Sequence, residues 1–413
     1  MPNITANTIY QNPVNKTWFS FIILYIFIDY GRPQDIIPVI GFLRPNLWLT
    51  IILTIYLLKN RSLLRFRLPQ IKLIWYFILL LALLVPLAHN HSAAFNAAKA
   101  ITLYMPFILS CAIVINTMDR LKKALLLIVC LMAYQSLYSI AHAGRGTGNF
   151  LSDENDLCLF LCTWLPFCLS FFFSTNKKIK KIFYGTCIAV GLCGVVVSFS
   201  RGGFLGLILM TIIFWLFSSK KIITLLIFIL LSMSLYLFAG NKYWKEMETS
   251  TDSQDGTGRE RIESWKSGWN MFTHNPLGIG GANFPSRFPE YQTSYFKRSM
   301  WGRVAHSLWF TLIPETGIFG IFIYFLLIVY NIKTAFNIRK STEFLQKEDN
   351  IFFKNLSVAF IGSFAGFFGA ATFLAVLYYP HFWYLTGILV AASNVKTDEF
   401  LSIDLQNNTS KDN

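Results

Sequence analysis

The sequence predicts an all-α, polytopic membrane protein of about twelve transmembrane helices with one large loop on the outer side. Three observations predict it. Of the 413 residues, 54% are hydrophobic and 14% charged, with 40 Phe, a balance that soluble globular domains do not carry. The apolar residues fall in blocks of roughly 16 to 26, the length that crosses a hydrocarbon core as helix, whereas barrel strands are far shorter. The connections between blocks are basic on alternate sides, the pattern of the positive-inside rule.

Taken in order, the spans are 17–29, 45–58, 69–88, 94–115, 121–142, 156–175, 179–198, 203–218, 222–240, 305–330, 352–377 and 379–394. The residues before the first span are polar with a single Lys16, and no small-residue cleavage site follows. That span is therefore expected to stay as an anchor. With the N terminus inside, 22 of the 36 Lys and Arg fall on the side of the two termini and five in short connections on the other. The remaining nine lie in the long segment 241–304, and long loops escape the charge rule. Topology and anionic headgroups thus account for the net charge of +15, and nucleic acid is excluded as a partner. The chain divides into 1–240 with spans one to nine, the outer loop 241–304, spans ten to twelve in 305–394, and a tail at 395–413. All seven cysteines lie within spans, which gives neither a disulfide framework nor a metal cluster.

Two long connections interrupt the hairpins. Residues 331–351, with Lys333, Arg339, Lys340, Glu343, Lys347, Glu348 and Asp349, are expected to form a solvated amphipathic connector. The outer loop starts polar and then takes a helical pattern with Ile262, Trp265, Trp269 and Phe272 on one stripe, which belongs on the membrane surface or on the bundle. A turn-rich run, His274-Asn275-Pro276-Leu277-Gly278-Ile279-Gly280-Gly281, stops that helix. The rings that follow (Phe284, Phe288, Tyr291, Tyr295, Phe296, Trp301) suit either stacking on sugars or an interfacial belt.

Ionisable residues at the outer ends of spans are costly unless paired, solvated or used. Arg201 stands at the tip of a Ser-Phe-Ser-Arg-Gly-Gly hairpin, where a guanidinium can fork onto phosphate oxygens or snorkel as an anchor. Arg259 and Arg261 fall in the first turn of the loop helix, where Arg259 is also placed to pair with Glu263. Arg303 and His306 precede the tenth span, and an imidazole there can exchange a proton near neutral pH or serve structurally. Glu315 is nine residues further on, on the opposite helix face from His306 at 100° per residue, and is expected to pair with a cation or accept helix hydrogen bonds. Asp153, Glu154 and Asp156 are placed to N-cap the sixth span rather than to hold a divalent ion.

These pieces, in this order, resemble the O-antigen ligase and polymerase superfamily. The resemblance rests on Gly146-Thr147-Gly148-Asn149 with Asn155, on Ser200-Arg201-Gly202, on Arg261 to Trp265 with His274 to Gly280, and on Ala305-His306-Ser307 with Glu315-Thr316-Gly317. It covers roughly residues 145–330. Asp29-Tyr30-Gly31-Arg32-Pro33-Gln34 is also similar to a subgroup of O-glycosylation ligases of exopolysaccharide systems. The resemblance implies a multi-pass protein of the bacterial inner membrane with cytoplasmic termini and a periplasmic loop. It further implies transfer of a glycan from an undecaprenyl-diphosphate carrier to a glycan, lipid or protein acceptor, without metal or cofactor. Carried over by position, it makes His306 the base and Arg201 and Arg261 the diphosphate ligands; the site expected on that basis adds Arg259 or Arg303 to the clamp and Glu315, Asn149, Asn155 and His274 as supporting residues. Ligase, polymerase and protein O-oligosaccharyltransferase share these motifs. A transporter of lipid-linked glycans is the reading from another class, since twelve spans with both ends inside also describe carriers.

Overall fold

The computed structural model describes residues 16–60, 68–148, 151–218, 221–222, 256–296, 298, 301–341 and 345–409. These residues are helical, joined by turns. The first helix α1 (Lys16–Gly31) is followed by two short ones, α2 (Pro33–Ile36) and α3 (Pro38–Phe42), and by α4 (Pro45–Lys59). Proline opens each of these three, which is where its missing N–H costs nothing. Helices α5 (Pro69–Leu84), α6 (His91–Val114), α7 (Met118–Ala141), α8 (Glu154–Ser174), α9 (Lys178–Val197) and α10 (Arg201–Phe217) complete the first part. The second part holds α11 (Gly256–His274), α12 (Phe284–Tyr291), α13 (Leu308–Arg339), α14 (Lys347–Ala371) and α15 (Pro380–Thr409).

Seven of these helices are long and apolar enough to cross a membrane, and α4 and α10 are shorter apolar helices. The span read at 222–240 and the start of the outer loop lie outside the described residues. At the expected connector 331–351, α13 continues to Arg339 and α14 starts at Lys347. Most of that segment is thus an extension of two helices, because buried Asn331, Thr334, Ala335 and Ile338 continue the packed face of α13. At the other boundary, α14 ends at Ala371, and residues 372–379, expected partly inside a span, form an irregular turn.

Two helices form the centre. Phe360, Phe364 and Phe367 of α14 and Trp164, Phe167 and Cys168 of α8 are fully buried, and α14 packs on both α8 and α10. Close approach is possible because a Cβ on Gly206 would fall 2.6 Å from the Gly366 carbonyl, and one on Gly366 2.6 Å from that of Cys162. Small residues of this kind are how helices gain contact in lipid, where no hydrophobic driving force remains. The seam brings the start of α10 against the start of α8 and the end of α14.

The long α13 is broken. Gly317 adopts φ 62°, ψ −164° just after Pro314, so the carbonyls before it lose their helical partners. The 276–280 turn replaces them: Ile279 N–H donates to Pro314 O at 2.9 Å, Gly280 N–H to Glu315 O at 3.0 Å, and Ile318 N–H to Pro276 O at 2.9 Å. Buried backbone groups must find partners, and here the segment between α11 and α12 supplies them. Gly278, at φ 104°, and Gly317 have no room for a Cβ at this crossing.

Candidate functional site

The site is assembled where the ends of α8, α10, α11, α13 and α14 meet. Before α10, Phe199 takes φ 51°, and Ser200 accepts from Gly203 N–H at 3.1 Å while donating to Asn155 Oδ1 at 2.7 Å. A helix cap tied to a second helix fixes where α10 begins, and so where Arg201 stands. On α8, Asp153 caps as expected, accepting from Asn155 N–H at 2.8 Å. Arg201, Arg261, Asn155, Phe199, Gly202 and Phe373 line an open cleft of about 190 Å³.

Arg261 reaches this cleft because it shares a face of α11 with Ser264, Gly268 and Met271, spaced at three, seven and ten residues. Those three are buried, and the Arg261 guanidinium lies over the Phe373 ring at 5.9 Å. The predicted apolar stripe is divided. Trp265 stacks on Phe310 at 5.3 Å and donates to Ala305 O at 3.1 Å, whereas Ile262 and Trp269 are each 52% exposed. Of the loop aromatics, Phe284, Phe288 and Phe296 are packed in a small core with Met271, Ile279 and Ala305, which removes them from ligand stacking.

His306 precedes α13 in a left-handed conformation, φ 47°, and Ser307 behind it caps the helix. His306 is therefore off the helix. The helical-wheel relation to Glu315 does not apply. Burial, then the Arg261 and Arg303 charges, push the imidazole below the ordinary histidine value, while Asp153 and Glu260 pull the other way. A neutral ring that can accept a proton is the consequence at pH 7. Arg303 forms an ion pair with Glu260 and lies over the Phe296 ring at 5.6 Å. Arg259 covers Tyr295 at 4.9 Å, and Glu263, its expected partner, is bonded by Lys266 at 2.8 Å.

Glu315 is buried and takes neither a cation nor α13's own amides. It accepts from Ala282 N–H at 2.8 Å, Phe284 N–H at 3.0 Å and Tyr378 O–H at 2.6 Å. It thus fastens the turn after α11 to the bundle. His274 bonds Asn270 O at 2.8 Å at the end of α11 remote from Arg261, about 20 Å along the axis at 1.5 Å per residue. Asn149 lies outside the described residues. Its neighbours are held: Thr147 N–H donates to Gln135 Oε1 at 2.9 Å, and Gln135 Nε2 donates to Tyr30 O at 2.7 Å. The Asp29–Gln34 motif reaches the same end, where Arg32 pairs with Asp35 at 2.8 Å and Asp35 sits against Gly148.

Phe373 and Tyr378 were not singled out from sequence. In a chain with 40 Phe and 18 Tyr no composition signal marks them; the turn at 372–379 does, once seen. Residues 186–325 match the family model described as O-Antigen ligase. The matched segment holds Arg201, Arg261, Arg303, His306 and Glu315, while Asn155 and Phe373 lie outside it. No curated protein matches the chain.

Proposed function

On the match of residues 186–325 to the O-antigen ligase family model, we propose that the chain is of the O-antigen ligase and polymerase superfamily and transfers a glycan from a polyprenyl-diphosphate carrier to an acceptor hydroxyl at the outer face of a membrane. The observation that carries the reading is that Arg201 and Arg261, from two separate helices, line one cleft, and that the charge of Arg261 is felt by a histidine whose proton affinity is lowered. We place the twelve-span topology with it: cytoplasmic termini, a bacterial inner membrane, and residues 241–304 on the periplasmic side.

Glycosyl diphosphate is already activated, so the protein has to align two substrates, stabilise the departing charge and accept one proton. The acceptor oxygen attacks the anomeric carbon, and His306 takes its proton. The bond from that carbon to the diphosphate oxygen breaks, with the electron pair leaving on the polyprenyl diphosphate. Arg201 and Arg261 offset the charge through paired N–H donors. A single displacement inverts the anomeric centre. Asn155 positions Arg201 through Ser200, and Glu315 holds the turn that carries Arg261's helix.

The test compares surface glycan in cells carrying wild-type protein and a membrane-inserted His306→Ala variant, with lipid-linked intermediates resolved on the same gel. Loss of product with accumulated carrier-linked glycan supports transfer, and long accumulated chains indicate a ligase where single units indicate a polymerase. Unchanged product at equal protein level sinks the reading.

A further inference from the structure

Glu260 immediately precedes Arg261, and Arg303 lies three residues before His306. The two are bonded to each other, with side chains 23% and 20% exposed. The Phe296 ring beneath Arg303 holds the guanidinium plane, and Phe296 is itself buried. A second tie, Trp265 Nε1 to Ala305 O at 3.1 Å, joins the same two segments one helical turn along. The start of α11 and the turn before α13 are therefore fastened on either side of Arg261 and just ahead of His306, the two residues whose separation matters for transfer.

We propose that Glu260 and Arg303 form a strut that sets the distance between Arg261 and His306, so that Glu260 is a positioning residue for transfer and Arg303 acts through it rather than on the diphosphate. The inference rests on the transfer reading above. Recruiting Arg303 to a phosphate would leave a mostly buried carboxylate without its partner, which is strongly unfavourable. The strut also explains how His306 is kept in a left-handed backbone conformation that bulky residues avoid: both chain directions out of it are held, by Arg303 and Ala305 on one side and the Ser307 cap on the other.

The experiment measures initial transfer rates against donor concentration for the full-length protein in membranes. It uses wild type, Glu260→Gln, Arg303→Gln, the double Gln variant, and the charge swap Glu260→Arg with Arg303→Glu. Misplacement by about an ångström costs on the order of 100-fold, so each single variant is expected to lose roughly 10- to 100-fold in kcat with donor KM nearly unchanged. The swap is expected to regain most of that loss, and the double Gln variant to be no worse than the poorer single one, as for two residues acting as one unit. If the swap inserts but stays inactive and Arg303→Gln raises donor KM, Arg303 is a diphosphate ligand and the strut is overturned. If the swap does not insert, additive losses in the double Gln variant overturn it equally, and non-additive losses uphold it. A wild type without transfer activity overturns the functional reading itself, which separates the two failures.

Discussion

The two ends of this bundle handle charge alike and backbone differently. At the end carrying residues 331–351, cations meet carboxylates, carbonyls and rings, with Arg339 over Phe217 at 4.6 Å and Arg120 over Phe19 at 5.6 Å. Lys122 pairs with Asp349 at 3.1 Å and Lys123 with Asp119 at 2.7 Å, and Lys396 donates to Ile338 O at 2.7 Å near the C terminus of α13, where a cation complements the helix dipole. At the opposite end Arg residues lie over rings as well, Arg259 on Tyr295, Arg261 on Phe373 and Arg303 on Phe296, and ion pairs recur, Arg32 with Asp35 and Arg145 with Glu154. Every left-handed residue found among the described ones lies there too, including Arg32, Arg44, Ala143, Phe199, Ala282 and His306. Such conformations cost about 1–3 kcal/mol each and persist where the surroundings over-determine them. The difference teaches that the contacts of the cations do not set the candidate-site end apart, whereas the left-handed backbone does.

Exchanging cation types at the two ends sharpens this comparison the most. Arg201→Lys keeps the charge and removes the planar fork, and transfer is expected to fall on the order of 100-fold or more. Lys122→Arg at the other end should leave the rate within experimental error. Full activity of Arg201→Lys in a glycan-transfer assay contradicts the phosphate clamp.

Next in size is Glu315→Ala, which strands Ala282 N–H, Phe284 N–H and Tyr378 O–H in a buried site. The expected loss is about 2–5 kcal/mol, read as a lowered melting temperature in detergent, with Glu315→Gln losing less because it keeps an acceptor. A smaller effect concerns pH. Since the His306 value lies below the ordinary 6.5, the base form persists to lower pH. The acidic limb of kcat/KM is therefore expected below pH 6.5 and should move upward in Arg303→Gln, which removes a charge that opposes protonation. A limb above the ordinary histidine value would contradict the assignment of the base. The smallest effect belongs to the end carrying residues 331–351: Lys122→Ala removes a partly exposed pair worth at most about 1 kcal/mol, and neither melting nor transfer should change appreciably.

Helix positions at the apolar blocks were legible because hydropathy over some twenty residues is a strong signal; the sixth span, read at 156–175, is α8 at Glu154–Ser174. The ends that failed are those where apolar composition outlasts the helix. Phe373 to Leu377 continue the pattern of α14, and nothing in their hydropathy distinguishes a buried turn from another helical turn. The Arg, His and Glu residues of the site were legible as residue types at costly positions. Their partners were not. Glu260 and Arg303 are bonded across more than forty residues, and the phase argument from His306 to Glu315 fails because Ser307 starts the helix after the histidine and Gly317 breaks it beyond the glutamate.

The crossing of the 276–280 turn with the break in α13 has a consequence for how the molecule is made. Without that turn, Pro314 O and Glu315 O would lack the partners they have at a buried break in the helix, a state that a water-free interior tolerates poorly. Helix α13 is therefore completed only when a segment earlier in the chain packs against its break. The 276–280 turn is in this sense a keystone: the helix break and the turn complete each other's backbone hydrogen bonds.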